Sequence, residues 1–286
     1  MPSLEKAIKR YWPLFVLPTF AAFAIGFIYP FLQGLYLSFC KFVTVSDATF
    51  NGFKNYLYVF SNADFGHSFW YTAAFTCVST VLINVAAFAI ALALTRNIRG
   101  TNLYRSVFFM PNLIGGIVLG YIWQTLLNCA LSLLEKPLLS LNATYGFWGL
   151  IILMCWQQIG YMMIIYIAGL QSIPTSYLEA ARIDGASEGR ILWQIKIPNV
   201  MPSITICMFL TLTNSFKLFD QNLALTGGEP AHASEMLALN IYQTFYARAG
   251  AQWKGYGQAK AVIFCLLVIA LSMIQLRATR SKEVQQ

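Results

Sequence analysis

Between Asp64 and Arg96, residues 65–95 read FGHSFWYTAAFTCVSTVLINVAAFAIALALT, without one Asp, Glu, Lys or Arg. A helix rises about 1.5 Å per residue and needs roughly 20 residues to cross the hydrocarbon of a bilayer. This stretch exceeds that length and therefore predicts a membrane-spanning helix. The same reading extends in both directions. Charge-free intervals also cover residues 11–40, 106–134, 137–178, 197–216 and 261–276. Trimmed at turn residues, they predict spans at 13–39, 69–94, 104–127, 147–170, 201–223 and 259–276. The fifth is carried past Lys217 toward Leu223, and Lys260 is expected to extend its charge to the interface. The expected fold is an all-α membrane protein of six helices forming one domain over residues 1–286.

Composition agrees. The chain has 58% hydrophobic and 10% charged residues, with a mean hydropathy of +0.59. Soluble domains carry about 25% charged residues, and one core of this size could not hide so much apolar surface. The net charge of +8 is scattered over the ends of apolar runs, which argues against nucleic acid as a partner. The six cysteines lie far apart with no C-x-x-C, so they read as small buried hydrophobes. His67 and His232 have no companions at ligand spacing, and no metal is expected. No lysine precedes Ser or Thr, which excludes the usual phosphate-cradling loop and hence ATP hydrolysis by this chain.

Basic residues set the expected orientation. The N-terminus, second and fourth loops and C-terminus hold 12 Lys and Arg, against 7 in the other loops. Both termini are therefore expected in the cytoplasm. The first apolar stretch exceeds a signal-peptide core and is kept as a span. The outer loop 218–260 carries the turn Gly227-Gly228-Glu229-Pro230 and an expected interfacial helix over 234–247.

The cytoplasmic loop 174–198 is the most specific segment. Pro174-Thr175-Ser176 starts a short helix, Gly185 interrupts it, and a second helical run ends at Pro198. Its residues run Glu179-Ala180-Ala181, three residues, Gly185, nine residues, Ile195, Lys196, Ile197, Pro198. This resembles E-A-A-x3-G-x9-I-x-L-P, the signature of permease subunits in ATP-binding-cassette importers, with Ile197 where Leu is usual. Further stretches resemble sugar permeases of the maltose-transporter type, in particular the first of their two unlike permease subunits. These are Phe216-Lys217-Leu218-Phe219-Asp220, Leu225 to Pro230, Ile241-Tyr242, Gly255-Tyr256-Gly257-Gln258-Ala259, Pro111-Asn112 and Trp123. Glu229 departs from the usual Gly-Gly-Pro.

The resemblance implies a type I importer permease fold in a bacterial cytoplasmic membrane. It implies that Glu179, Ala180, Ala181, Asp184, Gly185, Ile195 and Pro198 dock a cytoplasmic ATPase. Implied partners are two ATPase copies, a second, unlike permease, an extracytoplasmic solute-binding protein and a sugar or oligosaccharide. This chain would bind no cofactor, since ATP and Mg2+ belong to the ATPase, and would be no enzyme itself.

Candidates for a solute path follow from depth and face. Gln157, Gln158 and Tyr161 lie near the middle of the fourth span. Thr211, Asn214, Ser215 and Leu218 follow the i, i+3, i+4, i+7 rhythm of one helix face in the fifth. The maltose-type resemblance puts sugar contacts on these two helices. The alternative is that these groups bond to neighbouring helices. Rival functions are an importer of a non-sugar solute, an ion-driven secondary transporter and a membrane-embedded enzyme. The second usually needs repeats and intramembrane charges, the third a His, Cys or carboxylate constellation; the spans show neither.

Overall fold

The computed structural model describes residues 2–96 and 99–280. Five helices are long and apolar enough to cross a membrane, namely Tyr11–Leu37, Ala63–Leu94, Gly116–Leu133, Ala143–Gln171 and Ala251–Ala278. A sixth span arises if Glu188–Asn199 and Met201–Phe216, which meet at a 70° bend, are taken together. The chain divides into two compact units, Met1–Asn62 with Ile241–Ile263 and Ala63–Asn240 with Phe264–Gln286.

In the first unit, span Tyr11–Leu37 includes a π-helical turn at Ala24–Ile28. None of its most apolar window is buried, and rings such as Phe15 and Phe20 stand exposed. Such a face is stable only against lipid or another protein. A short antiparallel ribbon pairs Cys40 with Phe50 and Lys41 with Thr49. At its turn the backbone N–H groups of Val43 and Thr44 donate to the Asp47 carboxylate, both at 2.9 Å. These bonds, Val43's first, hold the Asp47 carboxyl below the usual carboxylate range. Asn55 is fully buried because its amide donates to the carbonyls of Ser38 and Cys40, at 2.8 and 2.9 Å. Tyr58 and Tyr256 stack with centroids 3.9 Å apart. Lys260 does not reach an interface. It is buried, and its ammonium donates to Thr244 Oγ1 at 2.9 Å.

The second unit is built on Ala63–Leu94, Ala143–Gln171 and Met201–Phe216. Its core includes Phe75, Ile83, Leu150, Met154, Met162 and Tyr166. The helices are also cross-linked by a polar layer. Asn84 donates to Thr211 Oγ1 at 2.8 Å and accepts from the Tyr166 hydroxyl at 2.6 Å. Ser79 donates to Ser215 at 2.9 Å. In an apolar medium each such group must find a partner inside the protein. Close approach depends on small residues. A Cβ on Gly160 would collide with the Phe108 carbonyl, and one on Gly120 with Ala224.

Several observed boundaries differ from the expected ones. The third span is not continuous over 104–127: helix Thr101–Phe109 gives way to a 3-10 turn at Met110–Leu113, and Gly116–Leu133 follows. Pro111 lacks the N–H that would continue the α-helix. The fifth helix stops at Phe216, not at Leu223, and a separate helix, Asp220–Leu225, begins after three residues. The last helix starts earlier than position 259, at Ala251, and so takes in Lys254 as well as Lys260. Within 234–247 the helix spans Leu237–Tyr242 and passes into a π turn, Gln243–Ala247.

Candidate functional site

Two places carry functional groups, and the loop after Ala143–Gln171 is the first. Helix Thr175–Ile183 ends at Asp184, and Gly185 follows with φ +75°. Gly185 N–H donates to Arg182 O at 3.1 Å and Ala186 N–H to Ala181 O at 2.9 Å. That pair of bonds is the Schellman closure, which needs a left-handed residue after the cap. Ser187 Oγ then accepts from Arg190 N–H at the start of Glu188–Ile191. An Arg182–Glu188 ion pair of 3.1 Å ties the two short helices together.

The loop projects a mixed face. Glu179, Ala180, Asp184 and Gly185 are exposed, and Ala181, Ile195 and Pro198 are half-buried. Ile183 and Trp193 are also exposed, at 85% and 70%. Exposed apolar groups flanked by charge are the makings of a protein contact. Sequence reasoning did not single out Ile183 or Trp193 as part of this face. Behind the loop, a cavity of about 810 Å³ is lined by residues that include Arg96, Arg182, Lys196 and Glu188. The π turn Leu192–Lys196 and buried Val200 then lead into Met201–Phe216.

The second place is the break after Phe216. Lys217, Leu218 and Phe219, with Asp220 and Gln221, border a cavity of about 400 Å³ whose other walls are Met154, Gln158 and Asn214. A volume of this order suits a small molecule. Gln158 is 9% exposed, and its Oε1 is buried with no hydrogen-bond partner. Lys217 and Asp220 are exposed to the cavity. They do not pair with each other, and neither side chain has an ion-pair or hydrogen-bond partner among the described residues.

The expected path residues divide between this cavity and the surrounding packing. Gln158, Asn214 and Leu218 line the cavity together. Gln157 sits beside it, donating to Ile114 O at 3.2 Å and accepting from Gln221 Nε2 at 2.7 Å. Tyr161 is half-buried with its ring 6.4 Å from that of Phe109. Thr211 and Ser215 are fully buried and bonded to Asn84 and Ser79 on another helix. The i, i+3, i+4, i+7 rhythm groups them with Asn214 and Leu218, and for these two the alternative of bonds to a neighbouring helix is the arrangement seen. Phe219 was not among the expected path residues, and Lys217 with Asp220 or Gln221 was expected near the outer mouth as a local ion pair, which the structure does not form. Their place on the cavity wall follows from the interruption of the fifth helix after Phe216, which needs the fold to be seen.

Comparison with known proteins places the chain among membrane components of transport systems. The family model described as "Binding-protein-dependent transport system inner membrane component" matches residues 83–281. The chain is 41% identical over 283 residues to the "Probable starch degradation products transport system permease protein" of Thermoanaerobacterium thermosulfurigenes, covering 96% of this chain and 95% of that protein. A multiple sugar-binding transport system permease protein of Streptococcus mutans is 29% identical, covering 99% and 100%. The sn-glycerol-3-phosphate transport system permease protein of Brucella abortus is 32% identical, covering 93% of each. Among solved structures, a chain of a bacterial ABC transporter involved in the import of alginate superposes with a TM-score of 0.81 at 19% identity, covering 98% of this chain and 99% of that one. That last likeness establishes the fold, a type I importer permease.

Proposed function

The chain belongs to the family of binding-protein-dependent transport system inner membrane components, and on that premise we propose that it is the permease subunit through which an ATP-driven importer passes a sugar or oligosaccharide. Relatives along nearly the whole chain are named for starch degradation products and multiple sugars. The observation that carries the reading is the cavity at the break in the fifth helix, bordered by Gln158, Asn214 and Leu218. Its unpaired Gln158 Oε1 calls for a hydrogen-bond donor, and a sugar offers hydroxyls on every side.

In this reading the chain itself makes and breaks no bonds. ATP and Mg2+ are handled by two copies of a separate ATPase subunit. Loop 174–198 and both termini face the cytoplasm, and the loop presents Glu179, Ala180, Ala181, Asp184 and Gly185 to the ATPase, with Ile195 and Pro198 behind them. Ile183 and Trp193 would fill apolar hollows on that partner. A second, unlike permease closes the other side of the path, and an extracytoplasmic binding protein delivers the solute. ATP-driven closure of the ATPase pair would shift the docked loop and expose the cavity alternately to the two sides. Gln157 and Tyr161 then shape the path wall, and Thr211 and Ser215 hold the fifth helix in place.

The glycerol phosphate permeases support a second reading, an importer of a small anionic solute. Uptake by proteoliposomes containing the complete complex decides between them. ATP-dependent accumulation of maltotriose, with the ATPase retained on the solubilised permease, is the expected result. Accumulation of sn-glycerol 3-phosphate alone would favour the second reading, and uptake driven by an ion gradient without ATP would defeat both.

A further inference from the structure

The charges bordering the cavity carry more than a general polarity. Lys217 and Asp220 lie on its wall, three positions apart and flanking Leu218 and Phe219. They enter with opposite sign, so the wall has no net charge. Ordinarily two such groups so close in sequence would satisfy one another. Here they do not pair, and neither has a side-chain partner among the described residues. Next to them, Gln158 presents a buried, unpaired acceptor oxygen, Asn214 an amide and Phe219 an aromatic face.

From this we infer that Lys217 and Asp220 are specificity-determining residues, a charge-balanced pair that accepts a neutral, hydroxyl-rich solute and turns away anionic ones. The inference rests on the sugar-permease reading and narrows it. The chemistry is complementary group by group. The Asp220 carboxylate and Gln158 Oε1 both need donors, which sugar hydroxyls supply. The Lys217 ammonium needs an acceptor, and hydroxyl, ring and glycosidic oxygens supply it. Phe219 offers an apolar surface to the C–H face of a pyranose. A phosphate or carboxylate would gain Lys217 as a partner but would bring a like charge beside Asp220. With both charges on the same wall the attraction and the repulsion oppose one another, so little remains to offset the anion's desolvation. A neutral polyol loses little by the same transfer.

Charge balance, as distinct from any single contact, is tested by a double-mutant cycle in the complete complex in proteoliposomes, loaded through its own binding protein. The probes are maltotriose and sn-glycerol 3-phosphate. Lys217→Met and Asp220→Asn should each lower the initial rate of maltotriose import by about three- to tenfold, because each removes one polar contact to the sugar and leaves the opposite charge unbalanced on the cavity wall. The double variant Lys217→Met/Asp220→Asn, again neutral, should import maltotriose faster than either single variant. Retention of the ATPase on each purified variant controls for assembly. Single variants that import at the wild-type rate, or a double variant no faster than the slower single one, would overturn the pairing. Wild-type complex that imports sn-glycerol 3-phosphate and not maltotriose would instead overturn the sugar reading beneath it.

Discussion

Substitution of Gly185 isolates the geometry of the loop from its contacts. Gly185 has φ +75°, and nothing lies within 4 Å of a Cβ built there. A side chain therefore meets no neighbour, and the cost of substitution lies in the backbone alone. Left-handed conformation costs an L-residue about 1–2 kcal/mol, and more for a β-branched one. Gly185→Val is thus expected to cost roughly 2–3 kcal/mol locally, within the range for strained backbone positions. The loop can escape that cost by opening the turn, giving up the bonds from Gly185 N–H to Arg182 O and from Ala186 N–H to Ala181 O. Asn tolerates the left-handed region best among the other residues, so Gly185→Asn should cost least and Gly185→Ala should fall between. At about 1.4 kcal/mol per tenfold, Val should reduce ATPase binding at least tenfold while Asn stays within a few-fold of wild type. The assay is titration of the purified ATPase onto the detergent-solubilised permease pair, with binding-protein-stimulated ATP hydrolysis in parallel. Equal effects of Val and Asn would refute the conformational argument. Wild-type binding by the Val variant would remove this loop from the docking surface.

Three further outcomes are expected. Asn84→Leu removes the partner of both Thr211 Oγ1 and the Tyr166 hydroxyl, so the melting temperature of the purified permease should fall by an amount equivalent to about 1–3 kcal/mol. Gln158→Leu should leave thermal stability unchanged or higher, because Oε1 has no partner to lose, while lowering solute import; Gln157→Leu, which gives up bonds to Ile114 and Gln221, should lower stability by about 1 kcal/mol, and a reversed ranking in a thermal-shift assay would contradict the site assignment. In a cysteine-free background, an impermeant thiol reagent applied to intact cells should label a cysteine at position 232 and spare one at 280; the opposite pattern would invert the orientation inferred from basic residues.

The membrane class was legible because it depends on sums over many residues. The absence of charge from 65–95 settles a helix whatever its neighbours do. The loop was legible for a different reason: Gly185 closes a local turn whose bonds run only from Ala180 to Ala186. The breaks in the third and fifth helices were harder. Pro111 was visible, yet proline alone does not say whether a span kinks or stops. Nothing in Phe216-Lys217-Leu218 requires a stop, since the Asp220–Leu225 helix turns away to pack beside Gly120, where only a small residue admits Ala224. Thr211 and Ser215 could not be assigned from periodicity either. Their partners, Asn84 and Ser79, lie more than a hundred positions away in sequence. Lys260 was expected at an interface because an isolated lysine among apolar residues usually extends outward, but Thr244 gives its ammonium a buried partner.

The 70° bend between Glu188–Asn199 and Met201–Phe216 makes these two helices the arms of a bell crank. Val200, fully buried at the elbow, would serve as the fulcrum. At 1.5 Å per residue the first arm is about 18 Å long and the second about 24 Å. A stroke of about 3 Å at the loop end would therefore swing the far end through roughly 4 Å if both arms stay stiff. The bend also changes the direction of travel, so a push along the first arm emerges largely sideways at Phe216. There the helix stops and the wall formed by Lys217, Leu218 and Phe219 begins. An unbroken helix reaching Leu223 would carry such a stroke past the cavity; the early stop would deliver it to the cavity's edge.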